Sequence, residues 1–197
     1  MLANATVADL LRPCEKSRAL LYDIVLIIGG SFVIAICAQL AVGWPVPITG
    51  QTFAVLMLGA LLGSRRGCLC VLTYIAEGLT GLPVFAHFRG GFAVLISPTG
   101  GYLIGFVAAA YIVGLLAEKG WDRRVGTTIL AMLLGNVVIY TFGLFWLSLL
   151  MNIQSDVLTV GLYPFIVGDI LKTVLAAILL PASWKLIGYS AFADKRN

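Results

Sequence analysis

Charged residues are scarce in this chain, and their scarcity excludes an ordinary soluble domain. Asp, Glu, Lys and Arg make up 11% of the 197 residues, whereas hydrophobic residues make up 60%. A typical soluble domain has about 25% charged residues. The mean hydropathy of +1.02 is high for the same reason. The composition therefore predicts an integral membrane protein of one compact unit, and not a soluble enzyme with an anchor.

Residues that bind metals or form disulfides are also few and poorly spaced. The cysteines are Cys14, Cys37, Cys68 and Cys70, and His87 is the single histidine. Cys37 lies inside an apolar run, and Cys68 and Cys70 have no second pair of ligands nearby. Neither a zinc site nor a disulfide framework is predicted from these spacings. We expect no metal site and no resident cofactor.

Apolar stretches separated by short polar connections predict an all-α protein with six transmembrane helices. The predicted spans cover residues 22–42, 52–63, 68–79, 101–117, 127–151 and 166–187. A helix that crosses the hydrocarbon core needs about 20 residues, and the second stretch is shorter. Either the preceding turn, residues 47–52, enters the membrane, or this span crosses at a thin point. Irregular backbone at that depth is tolerated where it lines a cavity, so this turn is a candidate cavity wall.

The positive residues indicate the orientation of the chain in the membrane. Eleven of the thirteen Lys and Arg residues fall in the N-terminal segment, in two short connections and near the C-terminus. Positive residues accumulate on the cytoplasmic side, so both termini are predicted to be cytoplasmic. Residues 1–20 would form a cytoplasmic segment, residues 21–190 the six-helix membrane domain and residues 191–197 a cytoplasmic tail. Membrane topology therefore accounts for the net charge of +4, and no binding to nucleic acid is predicted from it.

Arg89 and Lys172 are the two positive residues that this topology does not explain. Lys172 follows Asp169 at i,i+3 in the last apolar stretch, so both side chains leave the same helix face. An ionisable group inside a span costs about 2.5–3.5 kcal/mol on insertion scales and usually marks a substrate or ion site. The alternative is a self-neutralising pair that eases insertion. The pair suits a urea or amide, and Arg89 suits a carboxylate at the far end of the ligand.

Other polar and aromatic residues are predicted to share one outward-facing pocket with this pair. Asn136 and Tyr140 stand at i,i+4 and face one side of the fifth span. A small-molecule site is mostly apolar with a few polar groups that orient the ligand. The further candidates for this substrate site are Thr49, Gln51, Glu77, Phe85, Tyr102, Asn136 and Tyr140, with Trp44 and Phe88 as additional aromatic wall.

Small residues spread over one broad face of the first span. Ser31, Ala35 and Ala38 lie on this face, and Gly30 adjoins them. Small residues allow helices to approach closely. From the residues alone, this face either packs inside the protein or docks a partner, and both interpretations stay open.

Four segments, in order, closely resemble the BioY family, the biotin-specific S components of energy-coupling factor (ECF) transporters. They are WPVPITGQT at 44–52, GLPVFA at 81–86, SPTGGYLIGF at 97–106 and GDILK at 168–172. The resemblance covers about residues 35–181. It implies the six-helix S-component fold, residence in a prokaryotic cytoplasmic membrane and capture of biotin from outside. It also implies that the S component topples in the membrane to release biotin.

The resemblance assigns roles to particular residues and partners. Asp169 and Lys172 would form the polar clamp on biotin, and Ser31 and Ala35 match the face by which the family docks its coupling protein. The expected partners are biotin, the lipid bilayer, a transmembrane coupling protein and two ATPase subunits. The chain has no nucleotide-binding loop, so ATP would be used only by partners. Glu77 departs from the family pattern, because a neutral residue is expected there.

Two alternatives to this function remain. The first is an S component for another vitamin-like carboxylate, such as desthiobiotin or lipoate. The second is an intramembrane enzyme that uses Glu77, Asp169 and His87. No nucleophile–base pair or metal set stands at a useful spacing, so the sequence favours a non-enzymatic transporter subunit.

Overall fold

The chain is built from α-helices, described here by a computed structural model for residues 5–43, 46–151 and 157–194, except for the side chains of residues 151 and 188–194. The helices are α1 (Val7–Leu10), α2 (Lys16–Gln39), α3 (Gln51–Leu62), α4 (Ser64–Leu79), α5 (Gly100–Glu118), α6 (Val125–Met151), α7 (Val157–Gly161) and α8 (Tyr163–Asp194). Short 3₁₀ turns lie at Ala86–Phe88, Phe92–Val94 and Trp121–Arg123. The mostly helical structure predicted from the sequence is confirmed for these ranges.

Among the described residues, four helical segments are long and apolar enough to cross a membrane. They are Lys16–Gln39, Gly100–Glu118, Val125–Leu150 and Val157–Ile187. The segment Gln51–Leu62 is apolar but shorter, and α4 has 16 residues. The predicted class, a multi-pass helical membrane protein, agrees with these four segments, whereas the count of six spans stays a prediction.

Two boundaries differ most from the predicted spans, and a small sheet adds to the helices. Helix α2 begins at Lys16, six residues before the predicted start, and α8 continues to Asp194. Hydropathy indicates only the part of a helix that lies in lipid. The helix itself continues into the polar region wherever no residue breaks it, so these two helices are longer than their predicted spans.

After α2, the strands β1 (Ala41–Val42) and β2 (Ile48–Thr49) pair antiparallel as a hairpin.

Glycines bring α3, α4 and α5 into direct backbone contact. A Cβ on Gly67 of α4 would lie 2.7 Å from the Cα of Gly59 in α3. A Cβ on Gly59 would lie 2.7 Å from the carbonyl oxygen of Ala110 in α5. In lipid, helices associate through such close packing because the surrounding tails are as apolar as the helix surfaces. The three helices therefore form a fixed frame for the groups at their ends.

An ion-pair cluster ties the N-terminal segment to the bundle. Arg66 contacts Asp9 at 2.7 Å and Asp23 at 2.8 Å, and Arg12 contacts Asp23 at 2.6 Å. Burial disfavours the ionised form of Asp9, but the backbone N–H of Thr6 and the Arg66 guanidinium outweigh it, so the pKa of Asp9 lies below its usual value. The cluster joins α1, α2 and α4 at the end where α2 and α4 begin.

Candidate functional site

A cavity lies at the opposite end, where α2 and α4 end and α3, α5 and α8 begin. Most of its lining is apolar, from residues such as Val46, Leu103 and Ile139. The polar residues that line it are Thr49, Gln51, Thr52, Arg89, Thr99, Tyr102 and Tyr140. This make-up matches a site for an organic molecule with a few polar groups.

Three aromatic rings form one wall of the cavity. Tyr102 and Phe165 are stacked, with ring centroids 6.4 Å apart and planes 27° apart. Tyr140 meets Tyr102 and Phe165 edge-on, at 6.4 Å and 6.2 Å. The Tyr102 hydroxyl donates to the carbonyl of Gly161 at 2.8 Å, which fixes that ring. A rigid aromatic wall of this kind suits a compact, largely apolar ring system.

Arg89 is the one formally charged side chain among the described residues that line the cavity. It lies in the loop between α4 and α5, where its backbone carbonyl accepts from the Phe85 N–H at 2.9 Å. Its Nε–H donates to the carbonyl of Ala86 at 3.2 Å. Within the described part of the chain its other guanidinium nitrogens have no hydrogen bond. They are therefore free to bind an anionic group of a ligand, a carboxylate above all.

Lys172 and Asp169 lie behind the wall of the cavity and support it. The Lys172 ammonium donates to the carbonyl of Thr49 and to the hydroxyl of Thr52, both at 2.8 Å, and lies 3.3 Å from Asp169. The Tyr140 hydroxyl donates to the other carboxylate oxygen of Asp169. Asp169 is 7% exposed, so both of its oxygens are paired in a buried place. The pair thus joins α8 to α6, to the hairpin and to α3.

A second chain of hydrogen bonds continues from Thr49 to the loop before Arg89. The Thr49 hydroxyl donates to the Gln51 side-chain oxygen at 3.0 Å, and the Gln51 amide donates to the Tyr74 hydroxyl at 2.7 Å. Tyr74 in turn donates to the carbonyl of Val84 at 3.2 Å. Tyr74 is fully buried and was not among the predicted site residues. The sequence signal for it was a tyrosine inside a predicted span, four residues before Gly78.

The structure brings six of the predicted site residues together at the cavity. They are Thr49, Gln51, Phe85, Arg89, Tyr102 and Tyr140. These residues come from the hairpin, α3, α5, α6 and the loop after α4, as expected from the helix ends that share one side. Their contact with a ligand stays a prediction. Trp44, the expected additional wall, lies outside the described residues.

Four of the predicted site residues stand away from the cavity: the pair of Asp169 and Lys172 described above, Asn136 and Glu77. The expected direct clamp differs from the observed arrangement, because Tyr140 and Thr49 lie between this pair and the cavity. Asn136 is one turn of α6 away from Tyr140. It lines a separate, smaller cavity with Lys172 and Thr173 between α3, α6 and α8. Asn136 is therefore not part of the main site in this structure.

Glu77, a predicted site residue, does not line the cavity in this structure, and its contact with a ligand stays a prediction. Gly78 of the same helix faces the Phe85 ring. Successive residues of an α-helix point in directions about 100° apart, so the neighbouring Glu77 does not face that ring. Glu77 therefore points towards α2, where it accepts a hydrogen bond from the Ser31 hydroxyl at 2.9 Å. Phe88 also lies outside the cavity, because its side chain is 71% exposed at the tip of the loop.

The residues of the expected docking face are buried within the chain, and their contact with a partner stays a prediction. Ser31 and Ala38 have no exposed surface, and Ala35 is 8% exposed. Neighbouring Gly30 shows why, since a Cβ there would lie 2.5 Å from the sulfur of Cys70 in α4. The small residues let α2 approach α4, which is the internal-packing interpretation that the sequence had left open.

Replacing Tyr74 with phenylalanine is expected to lower the free energy of unfolding by about 1–3 kcal/mol, because the Gln51 amide and the Val84 carbonyl lose a buried partner. The affinity for a ligand should fall too, since Gln51 lines the cavity. Denaturation in detergent micelles measures the first effect. Tyr111→Phe is the matched control, because this ring is 45% exposed and makes no hydrogen bond in the described chain. Equal losses in both variants would contradict the role of Tyr74.

Comparisons with known proteins agree with one another. The sequence model of the BioY family matches residues 10–189. Two relatives named biotin transporter BioY are similar to this chain. The one from Thermotoga maritima is 42% identical over 68% of this chain and 79% of its own length, and the one from Rhizobium etli is 39% identical over 74% and 80%.

A solved structure has the same fold. It is described as the S-component for biotin from an ECF-type ABC transporter, and it superposes with a TM-score of 0.74 at 28% identity over 87% of this chain and 95% of that one. The family match extends over most of the length, from α1 to the last part of α8. On these grounds the chain belongs to the BioY family.

Proposed function

We propose that this chain is the substrate-binding subunit of a biotin transporter. It captures biotin from outside the cell and carries it across the cytoplasmic membrane together with an ECF energy-coupling module. The observation that carries this proposal is the cavity itself. It combines an aromatic wall, an Arg89 guanidinium with nitrogens that make no hydrogen bond in the described chain, and a buried acid–base pair behind its wall. The names of the relatives support biotin as the ligand.

The two ends of biotin differ in chemistry, and the cavity offers a partner to each. The fused rings carry a cyclic urea with two N–H donors and one carbonyl acceptor, and the side chain ends in a carboxylate. The carboxylate binds Arg89, as a charge-assisted pair. The rings lie against Tyr102 and Phe165, and the urea is held from the side of Tyr140. Asp169 accepts an N–H and Lys172 donates to the carbonyl once the ligand displaces part of their internal bonding.

The proposed topology has six membrane-crossing helices and both termini in the cytoplasm. Helices α3 and α4 are then the two short spans, which join the four longer segments. The N-terminal segment with its Arg66 cluster lies on the cytoplasmic side, where positive residues accumulate. The cavity at the other end of α4 then opens to the outside. This orientation suits capture of a scarce external nutrient.

Energy coupling requires partners in this proposal. The sequence has no phosphate-binding loop, so ATP hydrolysis is carried out by a pair of cytoplasmic ATPases joined through a transmembrane coupling protein. The solved relative comes from an ECF-type ABC transporter, which supports this assembly. The chain itself has no enzymatic step and no cofactor in this proposal.

Equilibrium binding of biotin to the purified chain in detergent or nanodiscs tests the proposal. We expect a dissociation constant far below 1 mM, and displacement by desthiobiotin or lipoate only at higher concentrations. Uptake of labelled biotin by cells should require co-expressed coupling proteins. Millimolar or weaker binding would contradict the proposal, and tighter binding of lipoate would change its ligand.

A further inference from the structure

The side-chain amide of Gln39 holds the turn that carries Arg89. Its Nε2 lies 3.3 Å from the carbonyl of Val84 and 3.2 Å from that of Phe85, and it donates to both. Its Oε1 accepts from the backbone N–H of Phe88 at 3.0 Å. One amide at the end of α2 therefore bonds to both sides of a turn 45 or more residues later in the sequence.

This turn needs such support, because its backbone is unfavourable. His87 and Phe88 have φ values of 60° and 55°, in the left-handed region that residues with a Cβ rarely adopt. Conformations of this kind persist where surrounding structure imposes them, and they cluster at ligand-binding sites. The Phe88 side chain is 71% exposed and supplies little packing. The contact from Gln39 to the Phe88 N–H is the support that the described chain provides at this point.

The two halves of the turn are held by different means. The first half is anchored by Phe85, whose buried ring fills the space beside Gly78 and meets Tyr74 edge-on at 5.4 Å. The second half leads to Arg89, whose Nε–H donates back to Ala86 within the turn. The conformation of the turn therefore sets the direction of the guanidinium. Loss of the Gln39 contact would leave the Phe85 N–H bonded to the Arg89 carbonyl and would loosen the residues between them, which aim the guanidinium.

We propose that Gln39 is a positioning residue that aims Arg89 at the anionic end of the ligand and so selects carboxylates over neutral analogues. This inference rests on the proposed function, since it takes biotin as the ligand. Gln39 acts through the turn and does not itself line the cavity. Its effect should therefore appear only with ligands that bear the negative charge.

The test compares biotin with its neutral primary amide, on the wild type and on Gln39→Met. We expect the variant to bind biotin about tenfold more weakly, the loss typical of one charge-assisted hydrogen bond, while affinity for the amide changes less than about twofold. In an Arg89→Gln background, Gln39→Met should have no further effect on biotin. Leu40→Ala is the matched control, because this neighbouring side chain is 69% exposed and should change neither affinity.

Hydrogen exchange provides a readout that needs no ligand. The amide of Phe88 should exchange faster in Gln39→Met than in the wild type, with no change in Leu40→Ala. Gln39→Asn, whose amide is too short to reach both sides of the turn, serves in the same way if the first variant does not fold. Equal losses for biotin and its amide, or unchanged exchange at Phe88, would overturn the inference. The wild type could also bind neither ligand while the Phe88 amide still exchanges faster in Gln39→Met. That result would refute the proposed function and leave the role of Gln39 in the turn intact.

Discussion

Asp169→Asn is expected to weaken biotin binding by about 100-fold and to lower the free energy of unfolding by about 3 kcal/mol. The carboxylate is buried and accepts from the Tyr140 hydroxyl and from Lys172. The substitution leaves the Lys172 ammonium, whose side chain is 21% exposed, without its ion-pair partner. Removing one member of a buried pair costs about 3–5 kcal/mol, and lost hydrogen bonds to charged groups cost about 1.5–3 kcal/mol each. Calorimetric titration and denaturation in micelles measure the two effects.

A double variant separates ligand binding from structural support. Asp169→Leu with Lys172→Met removes both charges, and replacement of a buried pair by apolar residues is often neutral for stability. We expect this protein to recover most of the lost stability and still to bind biotin poorly. If the double variant binds biotin as tightly as the wild type, the pair does not contact the ligand. Its role would then be to ease membrane insertion or to support the cavity wall. Arg18→Gln is the control, because its pair with Glu15 is exposed.

Gly78→Ala is expected to reduce biotin affinity by more than about tenfold and stability by about 1–3 kcal/mol, as overpacking of a filled site does. An added Cβ would overlap the ring of Phe85, which is 1% exposed and lines the cavity. The ring has no space to retreat against Tyr74, so it must move into the volume proposed for the ligand. The same titration and denaturation experiments measure both losses.

Gly29→Ala is the matched control for this substitution. Gly29 also lies within a helix, but a Cβ there would meet nothing within 4 Å. Its stability should stay the same or rise slightly, because alanine is the better helix former. In Gly78→Ala, a further Phe85→Leu exchange should restore stability more than affinity. Normal binding by Gly78→Ala itself would show that Phe85 does not border the ligand.

Parts of the site were predictable because they depend on local order along the chain. The ends of the apolar stretches indicated which segments share one side of the bundle, and Thr49, Gln51 and Tyr102 do meet there. The i,i+3 spacing indicated that Asp169 and Lys172 would be close, and they lie 3.3 Å apart. Helical geometry determines both relations, so distant contacts do not alter them.

Other parts were not predictable because they depend on which helix lies beside which face. The stripe with Ser31 was correctly identified as a close-packing face, but its neighbour proved to be α4 of the same chain. Glu77 was placed in the pocket because it stands at the proper end of its helix, whereas its direction around the helix turns it towards α2. Tyr74 and Gln39 drew no attention, because their partners lie 10 to 49 residues away in the sequence.

The sequence by itself determined the class of this protein. Its charged residues are scarce and its apolar stretches are long, so the outer surface of the folded chain must be apolar, and such a surface is stable in lipid. The sequence also determined the positions of the few charges that topology does not explain. Only the tertiary structure decided which groups those charges contact. Hydrogen bonds in a low-dielectric interior must be made inside the chain. Packing of the helices therefore placed Asp169 and Lys172 behind the cavity wall, bonded to Tyr140 and Thr49, and placed Arg89 in the lining.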